Sequence, residues 1–205
     1  MSQPVHTVVG IDVGGERKGF HAVALRGEIF VDKTTNTNAA KIVDWCLGHK
    51  AIIVAVDAPC KWSKDGSSRL AERELMKRGI WCFSSPTRQK ALLHDFYKWV
   101  LNGEKLYRLL VKNYPLFEGK DRKGLACIET FPHAIVCAIE GKVVPAKPKL
   151  KVRRDIMQNR GYDISELSSI DYVDAALCAV TAEEFRKGNY QKFGDCEEGF
   201  IVVPA

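Results

Sequence analysis

Val8-Val9-Gly10-Ile11-Asp12-Val13-Gly14-Gly15 is a nearly continuous apolar run interrupted by one carboxylate and by glycines. Val8, Val9, Ile11 and Val13 suit a central strand covered on both faces. Asp12 does not, because a lone buried carboxylate costs several kcal/mol unless a cation or hydrogen-bond donors compensate it. Either Asp12 caps a turn at the strand end or it holds something positive. The other carboxylates of the chain bear on that choice.

Outward from this strand, Gly19-Phe20-His21-Ala22-Val23-Ala24-Leu25 predicts a second strand. Arg26-Gly27 is a hairpin turn signal, and a third strand begins at Glu28-Ile29-Phe30-Val31, which gives an antiparallel meander. Asn38 then precedes a helical pattern that buries Ile42, Val43, Cys46 and Leu47 and stops at Gly48. Ala51 to Val56 is a continuous apolar run ending at Asp57-Ala58-Pro59. Strand, helix and strand in this order place the fourth strand parallel to the first through a right-handed crossover.

Residues 60–123 predict a mostly helical insertion or lid. One helix runs from Arg69 to Arg78, and two more, Gln89 to Val100 and Glu104 to Asn113, are separated by Asn102-Gly103. A short strand at Leu125 to Ile128 leads to Glu129-Thr130-Phe131-Pro132-His133, with a helix following to Glu140. Lys149 to Arg160 predicts a basic helix. Ser168-Ser169-Ile170-Asp171 matches a capping box for a last helix reaching about Lys187, and Gly199 to Pro204 offers a last strand. The fold class is α/β, with the meander plus parallel strands in one mixed sheet flanked by helices. A chain of 205 residues suits one domain.

The net charge of +6 is unevenly spread. Residues 61–123 hold 15 Lys and Arg against 7 Asp and Glu, and residues 141–160 hold 7 against 1, so the remainder of the chain is net −8. Basic outworks around an acidic core fit an anionic substrate brought to a cation site, although solvated lysine-rich helix faces give the same count. Seven cysteines without Cys-x-x-Cys spacing argue against zinc and against a disulfide framework. No apolar run approaches the roughly 20 residues of a membrane span. The opening Met1-Ser2-Gln3-Pro4-Val5-His6 lacks the basic and apolar regions of a signal peptide, so a cytoplasmic protein is expected.

Asp12, Asp57 and Glu129 each follow the apolar part of a strand, and in a parallel arrangement such ends meet at the edge where open α/β sheets bind ligands. Asp171 and Asp174, three apart on the last helix, share a face, and the small Ala175 and Cys178 let that helix approach the sheet. Each acid has an ordinary alternative: Asp171 as a cap, Asp57 as a turn former, Glu129 as a surface charge. Asp174 has least excuse, because Asp is a poor helix former. Converging carboxylates repel unless they share cations, and hard divalent ions such as Mg²⁺ or Mn²⁺ suit oxygen ligands.

With these segments in order, the chain resembles the ribonuclease H-like superfamily, and more narrowly the DUF429 family of predicted RNase H-like nucleases. The resemblance rests on Gly10-Ile11-Asp12-Val13, Val54 to Pro59, Arg69 with its helix, Glu129-Thr130-Phe131-Pro132, the basic stretch around Lys149 to Arg153, and Asp171 to Ala176. It implies two-metal hydrolysis of phosphodiester bonds in nucleic acid. Asp12 would bridge two ions, Asp57 and Asp174 would be further ligands, and Glu129 and Asp171 would be ligands or orienting partners. Lys61, Arg69, Lys149, Lys151, Arg153 and Arg154 would hold substrate. Trp62 and Trp81 are candidates to stack on a base, and His133 to move protons near Glu129. Two other readings remain: a catalytically silent binding or scaffold protein, and an ATP-binding sugar-kinase or actin-like protein. Gly14-Gly15 suits the second, but 205 residues with no second glycine-rich phosphate turn do not supply both halves of that architecture.

Overall fold

The first strand, β1 (Thr7–Val13), is buried along its whole length. The computed structural model describes residues 5–120 and 124–205. After β1 come β2 (Phe20–Arg26), β3 (Ile29–Asn36), α1 (Ala39–Gly48) and β4 (Ile53–Asp57). Then follow α2 (Leu70–Lys77), α3 (Arg88–Leu93), a single 3₁₀ turn at Asp95–Tyr97, and α4 (Lys98–Leu110). The chain ends with β5 (Ala126–Glu129), α5 (Pro132–Glu140), α6 (Lys149–Asn159), α7 (Ile170–Lys187), β6 (Tyr190–Asp195) and β7 (Gly199–Pro204). The seven strands form one mixed sheet in the order β3-β2-β1-β4-β5-β7-β6. The meander is antiparallel, and β4 lies parallel to both β1 and β5, as the apolar run and crossover predict.

Two cores lie on opposite faces of this sheet. Val8, Ile53, Ala55, Ala126 and Ile128 face α5 and α7, while Val9, Ile11, Val54, Val56 and Cys127 face α1 and α4. Alternation along each strand makes this division. Gly10 is what lets α7 lie so close to β1. A Cβ there would sit 2.0 Å from the Ala175 carbonyl oxygen and 2.2 Å from the Ala179 nitrogen, so any side chain would push the helix away. Ala175, Ala176, Cys178 and Ala179 complete the contact as completely buried small residues.

The structure differs from the sequence reading at three elements. Asn102-Gly103 does not break a helix, because α4 runs through it and the break falls at His94. Gly103 packs against Ala58, whose Cβ would be 2.8 Å from an added Cβ, and Asn102 donates to the Gly14 carbonyl at 2.9 Å. These two residues serve close packing rather than chain reversal. At α7 the N-cap is Ser169, whose hydroxyl accepts from the Tyr172 amide at 3.2 Å, one residue later than the predicted capping box. Asp171 is thereby released from capping duty. Finally, β6 was not anticipated: Tyr190–Asp195 is mostly polar and only half-buried, because it is an edge strand.

Residues 60–120 are built into both layers rather than laid over them. Ala71 and Leu75 of α2 belong to the core on one face, and Leu106, Tyr107 and Leu110 of α4 to the core on the other. Among the described residues, no helix is long and apolar enough to cross a membrane.

Candidate metal centre

The register of the parallel pair sets Asp12 directly beside Asp57. Laterally paired residues share a face, so both carboxylates point to the side covered by α7. The close approach at Gly10 brings Asp174 of that helix over them. One carboxylate oxygen from each of Asp12, Asp57 and Asp174 lies within 4.8 Å of the others. A second group meets the same criterion: Asp12, His21 and Asp171. His21 faces Asp12 across the β1–β2 hairpin, and Asp171 opens α7. Asp12 is common to both groups.

The electrostatics single out Asp12. Its Oδ2 is buried and has no hydrogen-bond partner. Burial, and after it repulsion from Asp174, lifts its pKa from 3.8 to about 7 even though Lys18 opposes the rise. Asp57 is held well above the usual carboxylate range by burial and by Asp12 and Asp174. Burial also raises Asp174, against the pull of Arg153. Two protein cations reach the site. Arg153 of α6 donates to Asp174 Oδ1, and the Lys18 ammonium donates to Asp171 Oδ1 at 2.5 Å. Lys18 stays 3.9 Å from Asp12 Oδ2, so the shared acid is left without a direct partner. Burial lowers the His21 pKa, which keeps a lone pair on the imidazole at neutral pH.

Glu129 is not one of these acids. It pairs in register with Val56, so it points to the face opposite Asp57. There it accepts from two nitrogens of the Arg69 guanidinium and from the Cys60 amide at 2.7 Å. Arg69 also donates to Glu72 at 2.8 Å and to the Glu198 carbonyl at 3.0 Å. Arg69 is therefore a buried cation whose guanidinium is engaged by protein acceptors. Arg153 likewise offers no solvated charge, since it is buried against Asp174. Arg154 holds the loop before α7 by donating to the Leu167 carbonyl at 2.6 Å, and Lys61 donates to the Cys196 carbonyl at 2.5 Å. Lys151 is exposed and pairs with Asp155. Lys149 is exposed and near enough to help lower the Asp174 pKa, which leaves it at the rim of the site.

His133 is buried at the start of α5 with its pKa lowered by burial, then by Arg153 and Lys149. Trp62 donates its indole N–H to Glu104 at 3.2 Å, whereas Trp81 is 76% exposed. Sequence reasoning missed Lys18 and His21. Counting residues back across the predicted hairpin from Asp12 would have found His21, because Val13 pairs with Phe20.

No curated protein and no solved structure matches the chain. A family model described as "Protein of unknown function (DUF429)" matches residues 10–198, which spans every residue of both acidic groups, and the chain belongs to the DUF429 family.

Proposed function

We propose that the protein is a divalent-metal-dependent nuclease of RNase H-like type that hydrolyses phosphodiester bonds at the two groups sharing Asp12. The observation that carries this reading is the buried Asp12 Oδ2, which has no partner although it lies between two sets of potential ligands. Among the described residues, the four carboxylates of Asp12, Asp57, Asp171 and Asp174 are met by two close ion pairs, from Lys18 to Asp171 and from Arg153 to Asp174. Divalent ions would offset that excess, and when bound would supply a hydroxide nucleophile and stabilise the departing oxygen. The all-oxygen group suits Mg²⁺ or Mn²⁺, and the His21 imidazole favours a first-row transition ion in the other.

The chain's own groups have distinct parts in this. Asp12 and Asp57 are fixed by strand register, so their separation does not depend on flexible loops. Arg153 and Lys18 orient Asp174 and Asp171 through hydrogen bonds, as outer partners of ligands do. Lys149 at the rim is placed to meet a phosphate. Seven unpaired thiols suit a reducing, cytoplasmic setting.

The test is cleavage of a panel of single strands, duplexes, RNA–DNA hybrids and branched DNAs in Mn²⁺ and in EDTA. Metal-dependent cleavage of at least one class is expected, and Asp57→Asn should slow it at least about a hundredfold. If no substrate is cut while Mn²⁺ still stabilises the protein, the nuclease reading fails in favour of a binding or scaffold role.

A further inference from the structure

Beside the acids, at the same carboxyl edge of the sheet, lies a cavity of about 190 Å³ that no part of the mechanism above uses. It opens past the ends of β1, β4 and β5, and Asp57 is part of its wall. Its other walls join an apolar and aromatic part, Phe83, Trp99 and Phe131 with Val13, Ala58 and Pro59, to the buried polar cluster around Arg69 and Glu129. A dry cavity of about 150 Å³ is enough to hold benzene, so this one is the size of a single planar ring rather than of a whole drug-sized ligand.

We propose that this cavity receives one nucleobase of a single-stranded nucleic acid whose adjoining phosphate lies at the acidic groups. The proposal rests on the nuclease reading and narrows its substrate to strands with an unpaired base. A row of rings leads outward from the cavity. Phe83 lies 5.1 Å from Trp99 and 5.7 Å from Phe96, ring centre to ring centre, and Phe96 is 68% exposed. Lys90 and Lys98 stand exposed on the same segment, with Lys98 paired to Asp95 at 2.8 Å, and Arg88, which opens the segment, paired to Glu104 at 2.9 Å. Rings flanked by cations suit a chain of stacked bases with a phosphate backbone better than an apolar protein surface.

The polar groups in the wall are already engaged. Glu129 accepts from Arg69 and the Cys60 amide, and the Thr130 hydroxyl donates to the Val202 carbonyl at 2.6 Å. Apart from Asp57, assigned above to the metal groups, no side chain among these is left to read the edge of a base, so recognition is by stacking and tolerates sequence. A base in a duplex cannot enter without leaving its stack, which sets single strands apart from duplexes.

Binding of the full chain to a dT12 strand, an abasic 12-mer of equal charge and a dT12·dA12 duplex tests this, with Ca²⁺ replacing Mn²⁺ and strand integrity checked on gels. The dT12 strand should bind about tenfold tighter than the abasic strand or the duplex. Phe83→Ala should erase that preference, and Phe83→Tyr should restore it. Equal binding of dT12 and the abasic strand would overturn the base subsite and leave the nuclease reading standing. A Phe83→Ala variant that melts like the wild type yet keeps the preference would overturn it too. Failure to bind any of the three would overturn both. If Phe83→Ala does not fold, the wild-type comparison of dT12 with the abasic strand decides alone. Preferential capture of an aromatic peptide over dT12 would assign the cavity to a protein partner instead.

Discussion

Asp12→Asn is expected to raise the melting temperature of the metal-free protein at pH 7 and to abolish the response to Mn²⁺. In the wild type, Mn²⁺ at about a hundred times its Kd should add about 2.7 kcal/mol, or about 5–10 °C for a chain of this size. The opposite signs of these two effects distinguish a strained ligand site from an ordinary structural acid. The pKa of Asp12 rises from 3.8 in the unfolded chain to about 7 in the fold. Below about pH 4 the group is protonated in both states and costs nothing. Between about 4 and 7 the unfolded chain releases the proton while the folded one retains it, so stability falls as pH rises through that window. Above it the loss is complete, at most about 4 kcal/mol. Asp57 and Asp174 are raised as well and act in the same direction. Melting curves from pH 4 to 8 in EDTA and in Mn²⁺ would show the decline in the first and its attenuation in the second. A wild type that gains stability with pH in EDTA would be inconsistent with crowded carboxylates.

Arg69→Met is expected to destabilise the protein by about 3–5 kcal/mol, because it leaves buried carboxylates without their cation. Arg69 is 1% exposed and links α2, β5 and the turn before β7 through Glu72, Glu129 and the Glu198 carbonyl. Glu72 still receives the Ser85 amide and hydroxyl, whereas Glu129 would keep only the Cys60 amide. The melting temperature should fall by about 6–20 °C. Arg69→Lys should recover little, since an ammonium does not present a fork to two carboxylates at once. Adding Glu129→Gln to Arg69→Met should regain part of the loss by removing the stranded charge, and the double-mutant cycle measures that coupling. Thermal melts with additive single effects would show that Arg69 and Glu129 do not act as a pair.

The parts legible in the sequence are those that depend on local pattern. Apolar runs ending in Asp12 and Asp57, with two meander strands and one crossover helix between them, were enough to place the two acids side by side. Ala175 and Cys178 signalled the close helix, although Gly10, which makes the approach feasible, was not singled out for it. Glu129 shows where pattern fails. Its position at a strand end is plain, but a register in which it pairs with Val56 rather than with Asp57 turns it to the other face. Arg69 and Arg153 were read as residues that hold substrate, and only tertiary structure reveals the carboxylates that pair with them. Asn102-Gly103 carries the letters of a turn, yet Ala58 and Gly14, distant in sequence, use them for packing.

Anomalous diffraction from a crystal grown or soaked in Mn²⁺ addresses the metal centre directly. A peak between Asp12, Asp57 and Asp174 is expected, with a second beside Asp12, His21 and Asp171 at higher Mn²⁺, and neither in Asp12→Asn. Absence of any peak at Asp12 under conditions where Mn²⁺ occupies other sites on the protein would contradict a shared cation site.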